Sequence, residues 1–137
     1  MAQLVLIRGI PGSGKSTLAK TEFPNHLHIE CDMYFIKNGK FKYRAFEATD
    51  AHIWCKWHTE TFLRAGRDVV VSNTFTEFWE LEYYVKLGYE TKIIDAKGNF
   101  ESIHNVPENI IHRMKRRFED IKSIYQKALM YNEKVEI

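Results

Sequence analysis

The chain has 137 residues, of which 45% are hydrophobic and 14% aromatic. It can bury one substantial core, so we expect a single domain over residues 1–137. A formal net charge of only +2 argues against a nucleic-acid coat protein or a membrane-surface protein, and confines any basic surface to a local patch. We also expect a cytoplasmic, soluble protein, because no apolar run approaches membrane-spanning length and the first strand begins at Gln3 with no leader before it. Cys31 and Cys55 lack metal-ligand spacing and are expected to be free thiols.

The segment Gly9-Ile10-Pro11-Gly12-Ser13-Gly14-Lys15-Ser16 satisfies the phosphate-loop pattern G-x-x-x-x-G-K-[ST]. An apolar stretch precedes it and a helical pattern follows it, which is the context that the pattern requires. Glycines let successive backbone N–H groups point inward, and the helix amino terminus adds partial positive charge, so the segment predicts a cradle for the phosphates of ATP or GTP. Lys15 is expected to neutralise the β/γ-phosphate oxygens, and the Ser16 hydroxyl to bind Mg²⁺. The predicted nucleotide-binding residues are Gly9, Pro11, Gly12, Ser13, Gly14, Lys15, Ser16 and Thr17.

The rest of the chain alternates predicted strands and helices joined by short links. The predicted strands are 3–7, 28–32, 68–72 and 90–95, with 134–137 as a last strand or a tail. The predicted helices start at Ser16 and cover 44–65, 77–87 and 120–131, and residues 33–43 form a loop or a small hairpin. This alternation is typical of a mostly parallel sheet flanked by helices, so we expect an α/β three-layer sandwich of the phosphate-loop type.

After residue 95 the pattern becomes polar and irregular, and Pro107 then marks a helix start. We expect a short helical lid over residues 96–118. Arg113 and Arg117 are four residues apart and share a helix face. Two such guanidinium groups suit a lid that closes on ATP and stabilises charge on the transferred phosphoryl group. The alternatives are a solvated charged helix face, or a patch that contacts a nucleic-acid backbone.

The candidate catalytic side chains follow the predicted strands. Asp32 ends the second strand, where a carboxylate can accept a proton from an attacking hydroxyl or can simply cap the next turn. Glu30 is a candidate partner of a magnesium-bound water, although its place on an edge strand favours a surface charge. The third strand is followed by Asn73 and Thr74, which suit hydrogen bonding to a substrate hydroxyl or phosphate, or are ordinary turn residues.

The third strand ends in Ser72 and Asn73, whereas in many phosphate-loop NTPases it ends in an aspartate that organises magnesium. A GTPase or motor that activates water is therefore disfavoured. A reaction with a hydroxyl acceptor fits the neutral polar groups at this position better.

Four segments together resemble the small ATP-binding kinase domains related to phage polynucleotide kinase. They are the phosphate loop, residues 30–35, residues 69–75, and Val106-Pro107 with Arg113-Met114-Lys115. The resemblance extends to about Phe118. It implies that Lys15 and Ser16 hold ATP and Mg²⁺, that Asp32 is the base that activates a 5′-hydroxyl, and that Arg113 and Arg117 are lid arginines. The chain departs from this pattern at Asn73, where relatives of this type can carry an acidic residue.

We therefore predict an ATP-dependent kinase that transfers the γ-phosphoryl group to a hydroxyl, with the 5′-OH of a DNA or RNA polynucleotide as the acceptor. One alternative is a kinase for a small molecule such as a nucleoside, a sugar or an antibiotic. The other is a non-catalytic adaptor that binds ATP to order an interaction surface.

Overall fold

The computed structural model describes residues 2–100 and 106–137, so residues 101–105 of the predicted lid lie outside the described residues. The main sheet has five parallel strands in the order β2-β5-β1-β6-β7. Its strands are β1 Gln3–Arg8, β2 Leu27–Ile29, β5 Val69–Asn73, β6 Glu90–Asp95 and β7 Val135–Glu136, and a separate antiparallel hairpin joins β3 Ile36–Lys37 to β4 Lys40–Phe41.

Five α-helices and two short 3₁₀ helices connect the strands within the described ranges. The α-helices are α1 Lys15–Glu22, α2 Ala48–Arg64, α3 Phe78–Lys86, α4 Glu108–Arg117 and α5 Ile121–Leu129, and the 3₁₀ helices are Cys31–Phe35 and Ala45–Glu47. No helix in this part of the chain combines the length and the apolar character needed to cross a membrane.

Strand β1 is central and is buried on both of its faces. Its residues alternate between two hydrophobic clusters, with Leu4 and Leu6 in one and Val5 and Ile7 in the other. The larger cluster contains side chains of α2, α3 and α5, whereas the smaller one contains Ala19 of α1. Helices therefore cover both sheet faces, which is why the parallel strands are continuous apolar runs. This confirms the predicted α/β three-layer arrangement.

The element boundaries differ from the prediction at a few points. Strand β2 ends at Ile29, and Asp32 lies in the 3₁₀ helix Cys31–Phe35 instead of at a strand end. Residues 33–43 include a hairpin, and the last residues include strand β7, which pairs in parallel with β6. The long helix begins at Ala48, after a 3₁₀ turn.

Arg8, the last residue of β1, is fully buried and joins four segments of the chain. Its Nε donates to the carbonyl of Phe75 at 2.9 Å, and Nη2 donates to the carbonyls of Thr76 at 3.1 Å and Glu119 at 2.7 Å. Its Nη1 forms an ion pair with Asp95 Oδ1 at 3.1 Å. The guanidinium thereby holds together the end of β1, the segment after β5, the end of β6 and the junction before α5. Arg8 directly precedes Gly9, so these contacts lie where the phosphate loop starts.

Replacing Arg8 by Met is expected to lower the free energy of unfolding by about 3–5 kcal/mol, because the Asp95 carboxylate and three carbonyls lose a buried partner. Urea denaturation followed by circular dichroism measures this loss. Burial already raises the pKa of Asp95 against the opposing effect of Arg8. Protonating the orphaned carboxyl relieves the penalty, so the deficit should shrink as the pH falls.

Arg64 provides the matched control, because its ion pair with Glu60 on α2 is largely exposed. Arg64→Met should change the free energy of unfolding by less than about 1 kcal/mol. An Arg8→Met protein as stable as the Arg64→Met protein would contradict the role assigned to the buried guanidinium.

Candidate active site

The phosphate loop turns sharply between β1 and α1, and its glycines are required by geometry. Gly12 and Gly14 have left-handed φ values of 86° and 83°. A Cβ added to Gly9 would lie 2.1 Å from Ser13 Oγ and 3.2 Å from the Ala96 carbonyl oxygen, so a side chain there would force Ser13 to move. The Ser13 hydroxyl is buried and has no hydrogen-bond partner among the described residues. The loop thus keeps the open cradle that a triphosphate needs.

A cavity of about 370 Å³ opens at the carboxyl ends of the strands, where open α/β sheets bind their ligands. The candidate site residues from the sequence that line it are Gly12, Gly14, Lys15, Ser16, Thr17, Glu30, Asp32, Ser72, Asn73 and Thr74. Gly9, Pro11 and Ser13 shape the loop but are not among the lining residues. The structure therefore brings the phosphate loop and the Asp32 turn to one cavity.

Lys15 begins α1 and is half-buried at the wall of this cavity. Burial lowers the pKa of its ammonium group, and the negative charges of Asp32 and Glu30 act against that change. Within residues 2–100 and 106–137, Lys15 forms no ion pair at 4.0 Å or less. Its charge is available for an anionic ligand in the cavity.

Glu30 is the centre of a hydrogen-bond cluster that joins three elements. Its Oε2 accepts from Ser16 Oγ at 2.7 Å and from Ser72 Oγ at 2.8 Å. His28 Nε2 lies 2.7 Å from Ser72 Oγ and 3.4 Å from Glu30 Oε2. Burial alone would raise the pKa of Glu30, but the hydrogen bonds from His28, Ser16 and Ser72 outweigh it and lower the pKa to about 2. Glu30 is thus a carboxylate inside the cavity, and the interpretation as a surface charge is wrong.

The pair formed by Ser16 and Glu30 fits Mg²⁺. A hydroxyl and a carboxylate are the oxygen ligands that this ion prefers, and Mg²⁺ in phosphate-transferring sites usually combines one or two carboxylates with substrate phosphates. The described residues contain no cluster of three or more His, Cys, Asp or Glu side chains that would form an all-protein cage. The tip of β5 carries Ser72 in place of an acid, and the carboxylate comes instead from the segment after β2.

Asn73 supports the turn that carries Asp32. Its Oδ1 accepts a hydrogen bond from the backbone N–H of Cys31 at 2.8 Å, and its Nδ2 lies 3.6 Å from Cys55 Sγ. Both ends of the amide therefore contact protein groups, and the side chain is almost fully buried. Thr74 follows it, lines the cavity, and accepts a hydrogen bond from the phosphate-loop backbone through its carbonyl.

Both cysteines are free thiols and lie beside the same turn. The hydrogen bond with Cys55, together with burial, raises the pKa of Cys31, so this thiol stays protonated. Cys31 Sγ also lies 3.2 Å from His52 Nδ1 at the start of α2. These contacts hold the turn against α2.

The structure does not bring the two predicted lid arginines to the cavity. Arg117 Nε donates to Thr76 Oγ1 at 3.2 Å, behind the β5 tip. Arg113 is exposed and lines a separate depression on the outer side of α4. Met114 is the residue of α4 that lines the cavity. A contact between Arg113 or Arg117 and a transferred phosphate stays a prediction that requires α4 to move.

Sequence reasoning missed the aromatic side chains at the site. Phe100 is 68% exposed and its ring lies 3.1 Å from the position of a Cβ on Gly14. Tyr43 is 58% exposed and its ring centroid lies 5.1 Å from that of Phe35. All three aromatic residues line the cavity. The aromatic-rich stretch after Asp32 indicated a loop or hairpin near the site but not which of its side chains line the cavity, and no sequence pattern indicated Phe100.

Solved structures of two kinds share this fold. A chain of the Pnkp1/Rnl/Hen1 RNA repair complex superposes with a TM-score of 0.58 at 18% identity, over 95% of this chain and 43% of that one. An unliganded sugar kinase from Janibacter sp. HTCC2649 superposes with a TM-score of 0.53 at 14% identity, over 96% of this chain and 78% of that one. Identities this low show the shared α/β fold alone.

Human NEDD4-binding protein 2 is 30% identical over 138 residues, which cover 88% of this chain and 8% of that protein. The chain thus spans a small part of this relative. A family model described as AAA domain (AAA_33) matches residues 4–97, from β1 to the end of β6 and the phosphate-loop side of the cavity. The chain belongs to this AAA-domain family and carries its phosphate loop in an α/β fold with a parallel central sheet.

Proposed function

We propose that this protein is an ATP-dependent kinase that transfers the γ-phosphoryl group to the 5′-hydroxyl of a polynucleotide. The observation that carries the proposal is the shared cavity, which is lined by Asp32 as well as by Lys15 and Ser16 of the phosphate loop. The likeness to a chain of an RNA repair complex and the resemblance to polynucleotide kinase support this acceptor. In this proposal residues 1–137 act as one domain, with residues 96–118 as the lid.

The donor half of the site is the phosphate loop. Its backbone N–H groups bind the phosphates of ATP, and Lys15 neutralises the β- and γ-phosphate oxygens. Ser16 and Glu30, whose oxygens are 2.7 Å apart, are the residues that would hold Mg²⁺. When bound, this ion neutralises phosphate charge that otherwise repels the incoming hydroxyl. His28 and Ser72 orient the Glu30 carboxylate through hydrogen bonds.

The acceptor half is the turn around Asp32. Asp32 accepts the proton of the 5′-hydroxyl while the hydroxyl oxygen forms a bond to the γ-phosphorus of ATP. The bond from that phosphorus to the oxygen bridging it to the β-phosphate breaks, and ADP is released. Asn73 holds the turn in place through the N–H of Cys31. After closure of α4, Arg113 and Arg117 offset the charge on the transferred group.

Asp32→Asn is expected to slow phosphoryl transfer by about 10²- to 10⁴-fold, because an amide does not accept the hydroxyl proton. ATP affinity should stay close to that of the wild type, since the phosphate loop is unchanged. Lys15→Ala should instead weaken ATP binding and abolish transfer. Transfer is measured with γ-labelled ATP, and affinity by titration with a fluorescent ATP analogue.

Asp120→Asn is the matched control for that change. Asp120 caps α5 by accepting from the N–H of Lys122 at 3.0 Å, and asparagine caps a helix equally well. Its activity should equal that of the wild type. Full activity in Asp32→Asn would remove this carboxylate as the base.

Glu30→Gln is expected to weaken Mg²⁺-dependent binding of ATP by about 10- to 100-fold in the metal titration. The reason is that the anionic oxygen next to Ser16 is lost while the size of the side chain is kept. Calorimetric titration with Mg²⁺ in the presence of ATP measures this affinity without requiring turnover. Glu90→Gln, an exposed residue at the start of β6, is the control. Equal Mg²⁺ dependence in both variants would exclude Glu30 from the metal site.

The likeness to a sugar kinase favours the second candidate, a kinase for a small hydroxyl compound. Incubation with γ-labelled ATP and a panel of 5′-hydroxyl oligonucleotides, nucleosides, sugars and buffer alone separates the two. Labelled oligonucleotide supports our proposal, whereas label on a sugar or nucleoside alone supports the second candidate. ATP binding without labelling of any acceptor would contradict both kinases and support the non-catalytic adaptor.

A further inference from the structure

The hairpin that follows the Asp32 turn is unusually basic. Residues 36–44 contain Lys37, Lys40, Lys42 and Arg44 and no acidic residue. The turn at Asn38-Gly39 has φ values of 53° and 75°, as a two-residue type I′ turn requires. Arg44 forms an ion pair with Glu47. The three lysines are exposed, and the described part of the chain gives them no ion pair.

The strand register places like charges against each other. Lys37 pairs directly with Lys40 across the hairpin, an arrangement that destabilises a β-ladder. Phe41 and Tyr43 both pack on the ring of Phe35, with centroid distances of 6.4 Å and 5.1 Å. Because side chains alternate along an extended segment, Lys40 and Lys42 point away from that aromatic contact. The ammonium groups therefore share one outer face, where a bound anion would relieve their repulsion.

The same hairpin is attached to the cavity of Asp32. Phe35 is buried and lines the cavity, and its carbonyl accepts a hydrogen bond from the N–H of Lys42 at 3.0 Å. Tyr43 also lines the cavity, yet more than half of its surface is exposed. One aromatic face is thus presented at the mouth of the cavity, beside a row of positive charges.

We infer that residues 36–43 form a binding surface for single-stranded nucleic acid. Lys37, Lys40 and Lys42 bind backbone phosphates, and the ring of Tyr43 stacks on the base next to the acceptor hydroxyl. Aromatic rings interleaved with cations are the usual means by which proteins bind single strands without sequence preference. An acidic peptide would satisfy the lysines but would leave the aromatic face without a partner. The inference rests on the proposed function in one respect, which is that the bound strand delivers its 5′-hydroxyl to Asp32.

The test compares Lys37→Gln/Lys40→Gln/Lys42→Gln with a control variant, Lys20→Gln/Lys122→Gln/Lys134→Gln, which removes the same charge from exposed lysines elsewhere. Fluorescence anisotropy measures binding of 5′-hydroxyl DNA and RNA oligonucleotides without ATP, so the result does not depend on turnover. For single strands, the logarithm of the association constant falls with the logarithm of the salt concentration with a slope of about −0.7 per phosphate contact. If the three lysines make three such contacts, the wild type should lose about 20-fold more affinity than the hairpin variant between 50 and 200 mM salt. The control variant should retain the wild-type slope.

Two further measurements distinguish binding from folding. The melting temperature of the hairpin variant should not fall, because the variant loses a repulsive pair. Tyr43→Leu should weaken oligonucleotide binding by about tenfold, whereas Tyr43→Trp, which keeps a stacking face, should not.

Equal affinities and salt slopes for the wild type and the hairpin variant would overturn the inference. Lysine-dependent binding of an acidic peptide such as polyglutamate, with no binding of oligonucleotides, would overturn it in favour of a protein partner. Failure of the proposed function is a separate result, since it shows as absence of labelled product whatever the anisotropy reports. A preference between the DNA and RNA probes identifies which strand the surface binds.

Discussion

The buried guanidinium of Arg8 is the interaction on which the geometry of the site depends. Moving such a charge out of water costs several kcal/mol, so it is stable only when its donors are satisfied. Here they bind the Asp95 carboxylate and three carbonyls, while the ring of Phe118 lies 4.0 Å from the guanidinium carbon. One of those carbonyls belongs to Phe75, whose φ of 43° is left-handed. The phosphate loop and the end of α4 are therefore both attached to one fixed point.

The lining of the cavity comes from different parts of the chain. The phosphate loop lines one part of it, while the continuous segment 30–43 supplies Glu30, Asp32, Phe35 and Tyr43 to its lining. The end of β5 carries Ser72 and Asn73 and no carboxylate, and Glu30 provides one from the segment after the neighbouring strand β2. In the proposed function a single segment thus carries the metal carboxylate, the base and the surface for the acceptor strand.

The fold and the phosphate loop could be predicted because their signals are local. Buried parallel strands are apolar runs, and the loop pattern fixes its own glycines, Lys15 and Ser16. Glu30 was a candidate magnesium-water partner, but its hydrogen bond with Ser72 could not be predicted, since it depends on pairing between β2 and β5 that brings residues 42 positions apart into contact. The direction of Arg113 and Arg117 depends on how α4 is rotated against the sheet, which sequence spacing alone does not determine. Asn73 was recognised as polar, but its partner, the N–H of Cys31, belongs to a distant turn.

Strand β2 has only three residues, pairs with one neighbour, and lies at the edge of the sheet. Glu30 and Asp32 follow it directly, whereas β1, β5 and β6 form the interior of the fold. Edge segments with few contacts open at a lower free energy than the whole domain. Amide hydrogens of β2 should accordingly exchange with solvent sooner than those of β1. On warming, the carboxylates would leave the cavity while the central strands were still folded, so ligand binding would fail before the far-ultraviolet circular dichroism changed.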